Sequence, residues 1–142
     1  PNPFYTQLAN EPGQFALIDL PMGRFNSKEY IYDQTTHQHP IVEGLIGRTP
    51  PEAYIYIDNN PLLAHWRDNT PLNCQEIDAA TIKQSLDQLT ADNFRYVIVH
   101  HQAGSVPDAF SGYLTSLPIY HDDSITAYSV TDLRAKSPCE NQ

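Results

Sequence analysis

The chain has few basic residues, with eight Lys and Arg against 17 Asp and Glu, and a formal net charge of −9 over 142 residues. The basic residues stand singly along the sequence, so no basic patch is visible. A negative field of this kind repels phosphate backbones and anionic lipid surfaces. The composition therefore argues against nucleic acid as a partner.

Long apolar runs are also missing. No stretch approaches the roughly 18 consecutive apolar residues of a membrane-spanning helix, and no basic-then-apolar signal segment opens the chain. The chain begins at Pro1, and its only methionine is Met22, so we interpret it as a piece of a longer protein. With 40% hydrophobic and 11% aromatic residues, it has the composition of a soluble globular domain.

Familiar catalytic motifs are absent as well. The sequence contains no G-x-S-x-G, H-E-x-x-H or phosphate-loop pattern, which gives serine hydrolases, zinc proteases and P-loop proteins no support. No motif points to a cofactor. The two cysteines, Cys74 and Cys139, lie too far apart for a zinc ribbon or a redox pair. The residues alone leave both a disulfide and two unpaired thiols open.

The pattern of apolar residues predicts an α/β fold. Residues 15–20 and 95–100 are apolar blocks typical of buried strands, and a helix over 79–91 leads directly into the second. A helix followed by a buried strand indicates a parallel crossover. Residues 119–121 and 125–130 flank a turn and predict a β-hairpin. We therefore expect a small mixed sheet, with a parallel central pair and a C-terminal hairpin, flanked by helices.

Other helices are predicted at 4–9, 28–38 and 62–66. A further helix, starting at Pro107, is expected to turn four apolar side chains inward, whereas residues 51–57 suit either a helix or a strand. We expect one domain over residues 1–134 and a flexible tail over 135–142. The inward side chains of the Pro107 helix are Phe110, Tyr113, Leu114 and Leu117.

Asp19 is the most unusual single residue, because it is a carboxylate near the end of a buried strand. A charge there is costly unless it is paired or accepts hydrogen bonds. Ligand sites of α/β sheets gather at the carboxyl ends of strands, which makes Asp19 a candidate ligand-binding residue. A capping role, or an ion pair with Arg24 or Arg48, explains it equally well.

Residues 32–52 contain two histidines, an arginine, two glutamines and several acidic groups. A helix over 28–38 brings Gln34 and His37 to one face. His37 and His39, with His100 and Asp19, form a candidate metal site, although residues two apart on a helix point to different sides. Sugar binding is a further interpretation, since tyrosines stack on sugar rings and amide groups bond to hydroxyls.

Four stretches resemble the C-terminal extracytoplasmic domain of bacterial polytopic membrane proteins related to dolichyl-phosphate-mannose-type glycosyltransferases. The shared pattern is a strand ending in D-L-P, then Y-x-Q-T-x-H with a later R-x-P, then a strand ending in V-x-H. In place of an expected Gly-Lys before Pro40, this chain has Gln38 and His39. The stretches are PFYTQLANEPGQFALIDLPMG, YIYDQTTHQHPIVEGLIGRTPP, FRYVIVHH and LPIYHDDSITAYSV.

The resemblance implies a non-catalytic domain on the extracytoplasmic face of the bacterial cell membrane, because the transfer chemistry of such proteins is expected in their membrane-embedded part. That part of the parent chain is the implied partner, together with a lipid-linked sugar or a polar acceptor. The location makes a disulfide between Cys74 and Cys139 more reasonable. The resemblance also favours helices at 28–38 and 51–57. We predict a ligand site at the carboxyl end of the first strand, together with residues 32–48. Its candidate residues are Asp19, Tyr32, Gln34, His37, Arg48 and His100.

Two alternatives stay open. One is a metal-assisted hydrolase that uses His37, His39, His100 and Asp19. The other is a purely structural module, in which the same polar groups bond to one another and hold residues 32–52 on the sheet.

Overall fold

The structure, a computed structural model, describes residues 2–23, 32–41, 50–101, 108–113 and 117–140. Helices and strands alternate irregularly in this part of the chain. They are α1 (Pro3–Asn10), β1 (Ala16–Leu20), α2 (32–37), α3 (Pro50–Asn59), α4 (Pro61–Asp68), α5 (Ala79–Ala91), β2 (Phe94–His100), a 3-10 helix (Asp108–Tyr113), β3 (Tyr120–His121), β4 (Ile125–Ser129) and α6 (Val130–Ala135).

Side-chain caps set where several helices begin. The Asp78 carboxylate accepts a hydrogen bond of 2.8 Å from the backbone N–H of Thr81, so that α5 begins at Ala79 as the sequence predicts. Asn60 caps α4 in the same way through the N–H of Leu63, and Pro61 occupies the first turn, where its missing N–H has no cost.

The four strands form one mixed sheet in the order β1-β2-β4-β3. β1 and β2 are parallel, β2 and β4 are antiparallel, and β3 completes the C-terminal hairpin with β4. The predicted α/β fold with a small mixed sheet flanked by helices is therefore confirmed. On the outer side of β1, a parallel bridge joins Leu17 to Ile41.

The two faces of the sheet bury different layers. Alternation along β1 and β2 points Ile18 and Val97 toward a large core that includes side chains of α4 and α5. Leu17 and Ile98 point the other way, into a smaller core with side chains of α1 and Ile41. Asp19 and His100 continue this second alternation, so that they belong to the α1 side of the sheet.

The structure resolves or corrects several local expectations. Residues 51–57 are helical, within α3. Leu117, expected to face inward, is 75% exposed. That prediction is wrong because Asp108–Tyr113 is a 3-10 helix, whose side chains do not follow the 3.6-residue spacing, and because Pro118 favours an extended residue before it. Residues 28–31 of the predicted 28–38 helix, Pro107 and Leu114 lie outside the described residues.

Cys74 and Cys139 form a disulfide, which closes a loop of 65 positions. The segment after α6, expected as a flexible tail over 135–142, is attached to the domain as far as Glu140. The Glu140 carboxylate lies 2.5 Å from the Lys83 amine on α5. No helix in the described ranges has both the length and the apolar character needed to cross a membrane.

Candidate functional site

The carboxyl ends of the two parallel strands hold a buried Asp-His pair. His100 Nε2 lies 2.8 Å from Asp19 Oδ1, and Asp19 and His100 are only 4% and 9% exposed. The register pairs Asp19 with Ile98, so that His100, two residues further on, reaches the carboxylate from the same face. The structure thus brings together two of the predicted site residues.

Burial dominates the electrostatics of Asp19. Desolvation raises the pKa of its carboxyl group, and the hydrogen bond and charge of His100 oppose this shift. Asp19 Oδ1 is the atom that bonds to His100, while Oδ2 is buried and has no hydrogen-bond partner among the residues that the structure describes.

His37 and His39 each form a hydrogen bond with a backbone group. His37 Nδ1 accepts a hydrogen bond of 2.9 Å from the N–H of His39, and His39 Nε2 donates to the carbonyl oxygen of Leu8 at 2.7 Å. Gln38, between them, has a left-handed φ of 62° and ends α2. Pro40 then accepts from the N–H of Leu17 on β1, at 2.8 Å.

The surroundings of His37 keep its imidazole neutral. Burial, followed by the charge of nearby His39, lowers the pKa of His37 to about 4. The two rings lie 6.0 Å apart and nearly parallel, and the ring of Tyr5 contacts His37 at 5.4 Å. Protonation of Nδ1 would break the hydrogen bond from His39 N–H, so this contact requires the neutral form.

The four candidate metal ligands form separate hydrogen bonds instead of converging on one point. Asp19 and His100 bond to each other, whereas His37 and His39 each bond to backbone. Across the described ranges, no group of three or more His, Cys, Asp or Glu side chains is placed to hold a metal ion. The metal-assisted hydrolase therefore has no ligand set in this part of the chain.

The remaining predicted site residues are Tyr32, Gln34 and Arg48. Tyr32 is 75% exposed at the start of the described part of α2. Gln34 is half-buried, and its Nε2 has no hydrogen-bond partner in the described ranges. Arg48 lies outside the described residues.

A second polar cluster, which the sequence did not predict, lies on the other face of the sheet. Thr126 Oγ1 is 2.5 Å from His101 Nε2 and 2.7 Å from His121 Nδ1. The register pairs His121 directly with Thr126, and strand alternation puts His101 on the same face as Val99, the partner of Thr126. Strand pairing was the signal needed to find this cluster.

The described surface also has a cleft of about 420 Å³ at the amino ends of β1 and β2, far along the strands from Asp19 and His100. It is formed by residues 13–16, 38–40 and 92–94, together with Tyr56 of α3. Tyr56 donates its O–H to Asp92 Oδ2 at 2.6 Å. The lining residues come from segments that are distant along the chain, so that only the folded arrangement reveals the cleft.

Comparison with protein-family models, with curated proteins and with solved structures gave no match for this chain.

Proposed function

We propose that this chain is a non-catalytic, extracytoplasmic domain of a bacterial membrane protein similar to dolichyl-phosphate-mannose-type glycosyltransferases. Its task is to position a lipid-linked sugar or a polar acceptor beside the membrane-embedded part of the same protein. The proposal starts from the four resembling stretches, and two features of the structure support it.

The Cys74–Cys139 disulfide supports the location. Disulfides persist in oxidising compartments and are rare in the bacterial cytoplasm. The test is to alkylate free thiols in intact cells that make the parent protein, and then to reduce and relabel the remainder. Protection of both cysteines before reduction supports an extracytoplasmic location, and complete alkylation at the first step contradicts it.

The observation that carries the binding role is Asp19 Oδ2, a buried oxygen with no hydrogen-bond partner in the described part of the chain. A buried carboxylate oxygen without a donor is costly, and this one lies at the carboxyl ends of parallel strands, where ligands of α/β sheets bind. A hydroxyl group of a sugar or acceptor would donate to Oδ2. The bond from His100 would hold the carboxylate in place.

The binding test uses a short-chain prenyl-phosphate mannose as the probe and isothermal titration as the measurement. Asp19→Asn keeps the shape of the side chain and removes the carboxylate, and we expect it to weaken binding at least tenfold. Asp87→Asn is the matched control, because Asp87 is an exposed carboxylate bonded to Arg134. Equal affinity of the wild type and Asp19→Asn, or no binding by the wild type, contradicts the proposal.

A structural module is the second candidate, and the histidine bonds favour it. His37 accepts from the N–H of His39, and His39 donates to Leu8 of α1. The carbonyl of Pro40 then accepts from the N–H of Leu17 on β1. If the prenyl-phosphate mannose does not bind and Asp19→Asn only lowers the melting temperature, the polar groups of residues 32–41 and the Asp19–His100 pair serve the fold alone.

A further inference from the structure

The cleft at the amino ends of β1 and β2 has the walls of a preformed site. The backbone carbonyl of Asn93, which has a left-handed φ of 65°, accepts from the N–H of Ala16 at 2.8 Å. On the opposite wall, the left-handed Gln38 is fixed by the bond from its N–H to the Gln34 carbonyl at 2.8 Å. Both walls are thus held by hydrogen bonds, and the backbone loses little conformational freedom on binding.

The size of the cleft suits a small ligand. Its volume of about 420 Å³ lies in the lower part of the range of small-molecule sites, roughly 300–1,000 Å³. The ring of Tyr56 lies at one wall, 5.7 Å from the ring of Phe94. Aromatic rings of this kind offer flat apolar area against which the C–H face of a sugar ring packs.

The polar groups around Tyr56 suit hydroxyl groups. Asp92 accepts the Tyr56 O–H and is exposed to the cleft. The side chains of Gln14, Gln38 and Asn93 are exposed amides that line the same space. Each amide both donates and accepts, as does a sugar hydroxyl.

The charges of the cleft disfavour anions. Its lining residues, all within the described part, include Asp92 but neither Lys nor Arg. The nearby Arg95 is already engaged, since its guanidinium lies 4.1 Å from the Phe15 ring centre and its Nη1 contacts Pro12 O and Glu11. The net charge of −9 adds a repulsive field.

We propose that this cleft binds a neutral sugar ring, which packs against Tyr56 and bonds through its hydroxyls to Asp92, Asn93 and Gln38. The site is separate from the Asp19–His100 pair and goes beyond the proposed function. The parent protein then contacts sugar at two ends of the same pair of strands.

The test is an amide NMR titration of the chain with methyl mannoside, methyl glucoside and methyl N-acetylglucosaminide. We expect at least one of them to shift the signals of residues 13–16, 38–40 and 92–94 in a saturable manner. We expect mannose 6-phosphate and glucose 6-phosphate to bind at least fivefold more weakly than the matching neutral sugar. The absence of saturable shifts with all three neutral sugars, or tighter binding of the phosphates, overturns the proposal.

Two variants locate the binding. Tyr56→Leu keeps an apolar side chain but removes the ring, and it should weaken binding at least tenfold. Tyr54→Leu is the matched control on the same helix, because Tyr54 is 49% exposed and does not line the cleft. Equal affinity of the two variants overturns the proposal.

Asn93→Gly is a second variant of the same cleft, for the case in which Tyr56→Leu does not fold. Glycine accepts the left-handed φ of 65° and removes the amide, so binding should weaken at least threefold while the fold is kept. Unchanged affinity contradicts the role of Asn93. Asp87→Asn, at an exposed carboxylate bonded to Arg134, should bind the neutral sugar as the wild type does. Because the shifts are read at residues 13–16, 38–40 and 92–94, a failure at this cleft is distinguished from a failure of the proposed function, whose probe acts at Asp19.

Discussion

Similar polar side chains are buried at one end of the parallel strand pair and exposed at the other. At the carboxyl end, Asp19 and His100 are buried and bonded to each other. At the amino end, Asp92, Asn93 and Gln38 are exposed around an open cleft, and Asp92 accepts from a tyrosine. The two ends therefore differ in burial: similar polar side chains are paired inside the fold at one end and exposed to solvent at the other.

Burial also decides whether a substitution should change stability or binding. A buried carboxylate without its partners costs free energy, so substitutions at the carboxyl end should change stability first. An exposed one is solvated and screened, so substitutions at the amino end should change binding and leave stability almost unaltered. Four predictions follow this contrast, from the largest effect to the smallest.

Loss of the disulfide should weaken both ends at once. The pair of changes Cys74→Ser and Cys139→Ser opens a loop of 65 positions and should lower the free energy of unfolding by about 4 kcal/mol in the chain-entropy model. Denaturant unfolding followed by amide NMR measures it. We expect signals near Asp19 and near Asp92 to disappear in one transition. Separate transitions at the two ends would contradict a shared scaffold.

The buried histidine of the α2 turn should make the domain sensitive to acid. Because the pKa of His37 is lowered to about 4 from its usual 6.5, between these pH values the unfolded chain binds a proton at His37 that the folded chain does not bind. Stability should therefore be constant above pH 6.5 and fall by up to about 3 kcal/mol toward pH 4. The measurement is urea unfolding at several pH values.

The variant His37→Asn checks the assignment. Asparagine stays neutral, and its side-chain oxygen accepts near the position of Nδ1, so the fall between pH 6.5 and 4 should shrink. Tyr5→Phe is the control, since it keeps the ring next to His37 and should shift stability equally at every pH. An unchanged pH dependence in His37→Asn would assign the acid sensitivity to other groups.

Removal of one carboxylate at each end compares the two ends directly. Asp19→Ala takes the buried partner from His100 and should cost about 1–3 kcal/mol. Asp92→Ala removes an exposed acceptor of the Tyr56 O–H and should cost no more than about 0.5 kcal/mol. Thermal unfolding of both variants measures the contrast. Equal costs would erase the distinction between the two ends.

The smallest effect is expected from Tyr56→Phe. It removes only the O–H that bonds to exposed Asp92, so stability should change by less than about 0.5 kcal/mol. Binding of a neutral sugar should weaken about twofold to fivefold, because the ring remains and Asp92 loses its orientation. Tyr54→Phe, on the exposed side of α3, should change neither quantity.

The sheet and its main helix could be predicted from sequence because their signals are local. The apolar blocks of β1 and β2 need no partner to be recognised, and Asp78 marks the first residue of α5. The Asp19–His100 contact is partly predictable too, since both residues follow apolar runs toward the same end of parallel strands.

The cleft and the histidine roles could not be predicted in this way. Gln38 and Asn93 line the cleft through left-handed backbone that the sequence does not specify. His37 and His39 form an H-x-H pattern typical of metal ligands, yet their bonds go to backbone groups brought close by the fold. Their roles depend on contacts between segments distant along the chain.

The most direct measurement of the proposed role is the imidazole nitrogen spectrum of the chain during titration with short-chain prenyl-phosphate mannose. We predict a saturable shift of the His100 signals in the wild type, because the ligand hydroxyl donates to the carboxylate that already bonds to His100. The shift should vanish in Asp19→Asn. His100 signals that stay fixed in the wild type, while the protein remains folded, would contradict a ligand site at this end of the strands.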